Sequence, residues 1–422
     1  MKKPFFPVLT VLGVLLLMGW ILVSNMRVTR PPTPPAGSPI TYPWGSMHLD
    51  VDQDEPDSQL EQSIVASILD EPEGLFDPDR DGRTEYSLLV LSGGGSAGAF
   101  GAGLLSGWTK AGTRPDFKIV TGISTGSLQA TFAFLGPDYD DKLTEIFTQY
   151  GTDEIYTKRS LLGSFLGDSA WNTEPLKALI DRYITYEVLA AVAVQHATGH
   201  RLFLGTSNMD TREFIIWDMG AIASSKRPDK LEHYRNVMLA SSSIPVLFPP
   251  VYFNVEIDGK DYYEMHMDGG VKSQLFLRGF MLDFEETLED AGVEDKDDAS
   301  LYVIRNGKAN EETIRNIVSA SSLSIASATI NGVFTLSTAS SLFRVYVLAN
   351  RNNIDFNLAA IPDDAFPGLD SLVFDLATMR KIYDYAFEKA RMGYEWAKVP
   401  SGLDPAELIE TSASADASSE AM

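Results

Sequence analysis

The chain has 422 residues, 44% of them hydrophobic and 22% charged, which is enough apolar material for a large core. Its 34 Lys and Arg against 58 Asp and Glu leave a net charge of -24, which excludes the basic footprint that nucleic-acid binding needs and requires any membrane contact of the folded part to be apolar. There is no cysteine, which excludes disulfides, thiol nucleophiles, Cys-type zinc sites and a lipid-modified N-terminal Cys together.

Lys2 and Lys3 open an interval without charge that runs to Arg27. An apolar run of about 20 residues is long enough to cross a bilayer as a helix. It exceeds the apolar part of a cleaved signal peptide, and Val23-Ser24-Asn25-Met26-Arg27 is a poor cleavage site. Residues 1–30 therefore read as an uncleaved anchor in the cell membrane, with the N-terminus in the cytoplasm and the body on the extracytoplasmic side. Secretion to the periplasm after cleavage is the alternative. Residues 31–57 read as a linker, proline-rich from Pro31 to Pro43 and acidic from Asp50 to Asp57. Residues 58–400 read as one folded domain, and 401–422, small and polar, as a flexible tail.

Within the domain, strand-like runs at Tyr86–Leu91, Phe117–Thr121, Arg201–Thr206, Glu213–Trp217, Val251–Ile257, Leu301–Ile304 and Phe343–Leu348 alternate with stretches of helical spacing, such as Glu174–Tyr183 and Tyr383–Trp396. That alternation predicts an α/β class with a largely parallel sheet. Asp77 to Gly82 begins like a calcium loop, but Leu88 stands where a bidentate glutamate would be needed. Leu161–Gly167 reads either as a mobile apolar flap or as a buried helix segment.

The first run leads into a glycine-rich loop, Ser92 to Gly103. Such a loop after a strand exposes backbone N–H groups, a ready anion site. Gly93, Gly95 and Gly98 match a dinucleotide fingerprint, but that reading needs an acidic residue at the end of the next strand, and Asp116 precedes its strand. The other anion is the oxyanion that forms when a serine attacks an ester. A serine sits where it would be needed. Gly122-Ile123-Ser124-Thr125-Gly126 follows an apolar run and precedes a helix-like one, the context of a strained turn that holds a nucleophile clear of the backbone.

Ser124 requires a base. The five histidines are His48, His196, His200, His233 and His266, so none lies near the C-terminus, where the usual Ser, acid, His order would place it. His200 and His233 read as surface or core positions, and a triad using His266 stays open. Asp268 ends a strand-like run and is followed by Gly269 and Gly270. It can be a base held on an uncrowded turn, or simply an Asp-Gly turn between strands.

Taken in order, Gly93-Gly94-Gly95-x-x-Gly98, Gly122-x-Ser124-x-Gly126 and Asp268-Gly269-Gly270 resemble the patatin-like phospholipases over about Tyr86 to Gly270. Thr206 to Glu213 looks like that family's central strand and turn, and Ala240 to Pro250 like the segment that shapes its acyl-binding floor. The resemblance implies a three-layer α/β/α fold with a largely parallel sheet. It implies a Ser-Asp dyad, with Ser124 as nucleophile and Asp268 as proton acceptor, and an oxyanion hole around Gly93, Gly94, Gly95 and Ser96. It further implies an ester of a lipid as substrate and no metal or organic cofactor. Gly98, Gly122, Gly126, Gly269 and Gly270 support the motifs. One departure is Ala97, where many members carry Arg or Lys, and it bears on headgroup recognition. The expected function is a membrane-anchored serine acyl hydrolase of phospholipase A or lysophospholipase type. The alternatives are a catalytically silent lipid- or partner-binding envelope protein of the same fold, a Ser-His-Asp esterase, and a dinucleotide-binding protein.

Overall fold

A computed structural model describes residues 29–38, 46–49, 58–77, 84–160, 167–278, 281, 298–310 and 318–402. The anchor segment before residue 29, most of the acidic linker, the Asp77–Gly82 loop beyond Asp77, residues 161–166 of the flap and the tail beyond 402 lie outside them. The elements that build the site, in chain order, are β1 (Ser46–Leu49), α1 (Ser58–Leu69), β2 (Glu85–Leu91), α2 (Ala99–Ala111), β3 (Phe117–Gly122), α3 (Thr125–Leu135), β4 (Arg201–Asn208), β5 (Phe214–Asp218), α4 (Lys230–Ser241), β6 (Val251–Ile257), β7 (Lys260–Asp268), β8 (Asp298–Lys308), α5 (Ser322–Arg351), β9 (Asp355–Ile361) and α6 (Leu376–Arg391).

The nine strands form one mixed sheet in the order β1-β5-β4-β3-β2-β8-β9, with β7 pairing β4 and β6. The run from β4 through β3, β2 and β8 to β9 is parallel. The flank made by β1, β5, β7 and β6 is antiparallel. Parallel strands are covered on both faces and so read as continuous apolar runs. In β2, Leu89 and Leu91 enter a core with α2, α3, α4 and α6, while Leu88 and Val90 enter a second core with α1 and α5. Helices thus lie on both faces of the sheet.

Six of the seven predicted strands form close to their predicted bounds, and the helix over Glu174–Tyr183 coincides with its prediction. Phe343–Leu348 is the exception, because it lies inside the 30-residue helix α5. There Leu342, Val345, Tyr346 and Ala349 recur at three- and four-residue spacing against the second core, and burial at helical period overrides the strand propensity of the short run. Two of the loop-side glycines serve packing: a Cβ on Gly103 or Gly107 would run into the carbonyl oxygens of Tyr383 or Phe387 on α6.

Candidate active site

Ser124 joins β3 to α3 with φ 53° and ψ -124°, a left-handed conformation that costs a non-glycine residue about 1–3 kcal/mol and persists only where its surroundings enforce it. The enforcement is visible. Ser124 N donates to Ser241 Oγ at 3.1 Å, and Ser241 Oγ donates to the Gly205 carbonyl at 2.8 Å. The Ser124 carbonyl accepts from Ser127 Oγ at 2.7 Å. Gly122 and Gly126 are required by approach: a Cβ on Gly122 would lie 2.5 Å from the Gly126 carbonyl, and one on Gly126 would strike that of Leu91.

Asp268 ends β7 opposite Thr206 of β4 and is fully buried. It is not a hairpin turn. The β6–β7 hairpin is made by Asp258 and Gly259, both at positive φ as a two-residue turn demands, whereas the chain after Asp268 folds into a short turn over Gly269–Val271. Asp268 Oδ1 accepts from Gly270 N at 2.8 Å, and its own N–H donates to the Ser243 carbonyl at 2.9 Å. Burial pushes its pKa up to about 7, against smaller opposing contributions from the Ser124 side chain and Gly270 N–H. Oδ2 makes no hydrogen bond among the described residues.

The glycine loop arches over the same point. The Gly93 and Ser96 amides are engaged, donating to the carbonyls of Gln274 at 3.0 Å and Ser371 at 2.8 Å. Gly94 and Gly95, with φ of 154° and 52°, are the two of the four expected donors whose N–H groups have no partner among the described residues. Neither can carry a side chain, since a Cβ would meet the backbone oxygens of Asn306 and Ser371. Asn306 fastens the loop, donating from Nδ2 to the Ser92 carbonyl at 2.8 Å and accepting from Gly101 N at 3.1 Å. Gly98 is required by its closeness to Thr125, and Gly269 by that to the Gly205 carbonyl.

A cavity of about 500 Å³ opens beside Ser124, lined also by Gly93 to Gly95, Ala97, Ile244, Arg305, Lys308 and Phe334. It stands at the carboxyl ends of β2, β3 and β8, where ligands of parallel α/β sheets bind. Ala97 leaves the loop without a cation, but Arg305 and Lys308 at the end of β8 bring two to the same cavity.

The histidines are spent elsewhere in the fold. His266 Nδ1 pairs with Thr206 Oγ1 at 2.9 Å and its Nε2 lies 3.7 Å from Glu264. His200 and His233 are held neutral by burial, at pKa values of about 4 and 3; His200 bonds to Gln195 and Thr198, and His233 packs on Trp217 and Phe253. His196 lies 3.9 Å from Asp218, and His48 is paired with Ile215 at the sheet edge. Sequence reasoning missed Ser241, Ser243, Gln274 and Asn306, which position Ser124, Asp268 and the loop. The triple serine stands out in the sequence, but there it reads as part of the segment that resembles an acyl-binding floor.

Comparison with known proteins places a family likeness over the segment that holds these residues. Residues 89–281 match the family model Patatin-like phospholipase. Among solved structures, the crystal structure of VipD from Legionella pneumophila aligns over 75% of this chain and 69% of its own, at 13% identity and a TM-score of 0.37. No curated protein matches. Residues 89–281, which hold the serine turn, the glycine loop and Asp268, are thus similar to a patatin-like phospholipase domain, and that likeness supports a lipid acyl hydrolase at the family level.

Proposed function

We propose that the protein is a membrane-anchored serine hydrolase that cleaves carboxylic esters of lipids, of phospholipase A or lysophospholipase type, through a dyad of Ser124 and Asp268. The observation that supports this most directly is a strained, enforced serine beside a fully buried carboxyl whose pKa is pushed up to about 7, because a general base works best with a pKa near the working pH. Asp268 takes the proton from Ser124 Oγ as that oxygen bonds to the acyl carbon, and the Gly94 and Gly95 amides receive the developing oxyanion. The ester C–O bond breaks, the leaving alkoxide takes the proton, and the acyl group stays on Ser124. A water then gives its proton to Asp268 as it attacks the acyl-enzyme. Oγ recovers that proton when the fatty acid leaves. Arg305 and Lys308 would meet an anionic part of the substrate that Ala97 cannot. The segment before residue 29 would hold the domain at the extracytoplasmic face of the membrane.

A fluorophosphonate probe tests the reading in one step, since an activated serine labels and an inert one does not. Wild type should label and Ser124→Ala should not. Absence of labelling in a folded wild-type chain would favour a silent lipid-binding protein, and normal turnover by Asp268→Asn would return attention to the histidines.

A further inference from the structure

Helix α5 has two unlike sides. Asn331, Phe334, Thr335 and Thr338 line the cavity beside Ser124, and further along Leu342, Val345, Tyr346 and Ala349 are buried on the second core. Ile325, Val333, Leu336, Phe343 and Val347 are exposed, Leu336 by 73%. At ~100° per residue these five fall within about 80° of one another, and the cavity-lining four on the opposite side. Arg344 and Arg351 are the only charges among the helix's 30 residues, in a chain that is 22% charged.

We propose that the exposed stripe of α5 is where the domain docks on a neutral lipid surface, so that one helix both enters the lipid and walls the cavity to which the lipid must pass. The inference rests on the hydrolase reading for the identity of the cavity. The occupant follows from charge and continuity. A body of net charge -24 is repelled by anionic lipid, so the contact has to be mainly apolar, and an amphipathic face whose only charges, Arg344 and Arg351, lie towards its C-terminal end supplies it by burial in the interface. The stripe is also the reverse side of the wall of the cavity at Ser124, which shortens the path from aggregate to nucleophile. Although Ser324–Arg351 is long and apolar enough to cross a membrane, its C-terminal half is seated on the sheet core, which suits a helix that lies on the surface.

The chain has no cysteine, so a single Leu336→Cys in the full-length protein can carry an environment-sensitive dye. With phosphatidylcholine vesicles its emission should shift to the blue and be quenched by nitroxide-labelled lipid, whereas the same dye at Lys381→Cys on α6 should show neither. The result should be the same in a Ser124→Ala background, so a failure of the hydrolase reading leaves the docking result readable. Leu336→Glu should keep its rate on a monomeric short-chain ester and lose at least about tenfold on vesicles. Three results would overturn the proposal: a dye at 336 that stays in water with vesicles present, one already shielded without lipid by the N-terminal segment or a second copy, or a vesicle rate in Leu336→Glu as high as that of wild type.

Discussion

Lowering the pH from about 8 to about 5 should reduce kcat/KM on an uncharged, monomeric ester by roughly 90-fold, because the base must be ionised and Asp268 has its pKa pushed up to about 7. Its ionised fraction falls from about 0.9 to about 0.01 across that range. A carboxyl at its ordinary value of 3.8 would still be more than about 90% ionised at pH 5, and the rate would be nearly flat. Initial rates measured by chromatography of the released alcohol, with a water-soluble ester to keep lipid phase behaviour out of the profile, give the curve directly. The same shift has a signed consequence for folding. A carboxyl whose folded pKa lies above its unfolded one costs nothing at a pH below about 4, costs progressively more as pH rises towards 7, and keeps that cost above it, up to the order of 4 kcal/mol. Asp268→Asn should therefore abolish turnover yet resist urea better than wild type at pH 8, with that advantage shrinking by pH 4. A rate that is flat from pH 5 to 8, or an Asp268→Asn chain that is no more stable at pH 8, would refute the argument from burial.

Three further substitutions probe the frame. Ser124→Gly should unfold at higher urea than Ser124→Ala by about 1 kcal/mol, since only glycine takes φ 53° without strain; equal midpoints would mean the turn is not strained. Ser241→Ala leaves Ser124 N without its acceptor and should cost about 1–3 kcal/mol, with kcat lowered and KM on a soluble ester little changed; unaltered kinetics would remove Ser241 from the positioning role. Gly94→Ala forces a methyl group into the Asn306 carbonyl, so activity should be lost and the melting temperature lowered, as read by calorimetry; a stable, active variant would place the oxyanion donors elsewhere.

Glycine loop and serine turn were legible in the sequence because each is a local solution to a backbone problem, whereas Asp268 by itself read equally as an Asp-Gly turn between strands. A left-handed nucleophile needs small neighbours two residues away, and a loop that offers its N–H groups cannot carry side chains on the covered side. Strand bounds were legible for the same reason, since fully buried runs such as Leu88–Leu91 announce themselves by composition. What escaped were contacts between distant segments: Ser241 is 117 residues from Ser124, and Asn306 is 205 from Gly101. No periodicity reports such pairs.

The amino-acid sequence by itself determined that a serine, an aspartate and a glycine loop are present in the right local settings, with no cysteine and no C-terminal histidine to compete. The tertiary structure decided that Asp258-Gly259 turns a hairpin whereas Asp268-Gly269 is buried beside the serine, which two of four loop amides remain unengaged, and that the strand-like run at 343–348 belongs to a helix. The physical reason is the same in each case. Burial, pKa and hydrogen-bond partnership depend on what the rest of the chain brings within a few ångströms, whereas backbone strain and turn chemistry are settled by the residues themselves.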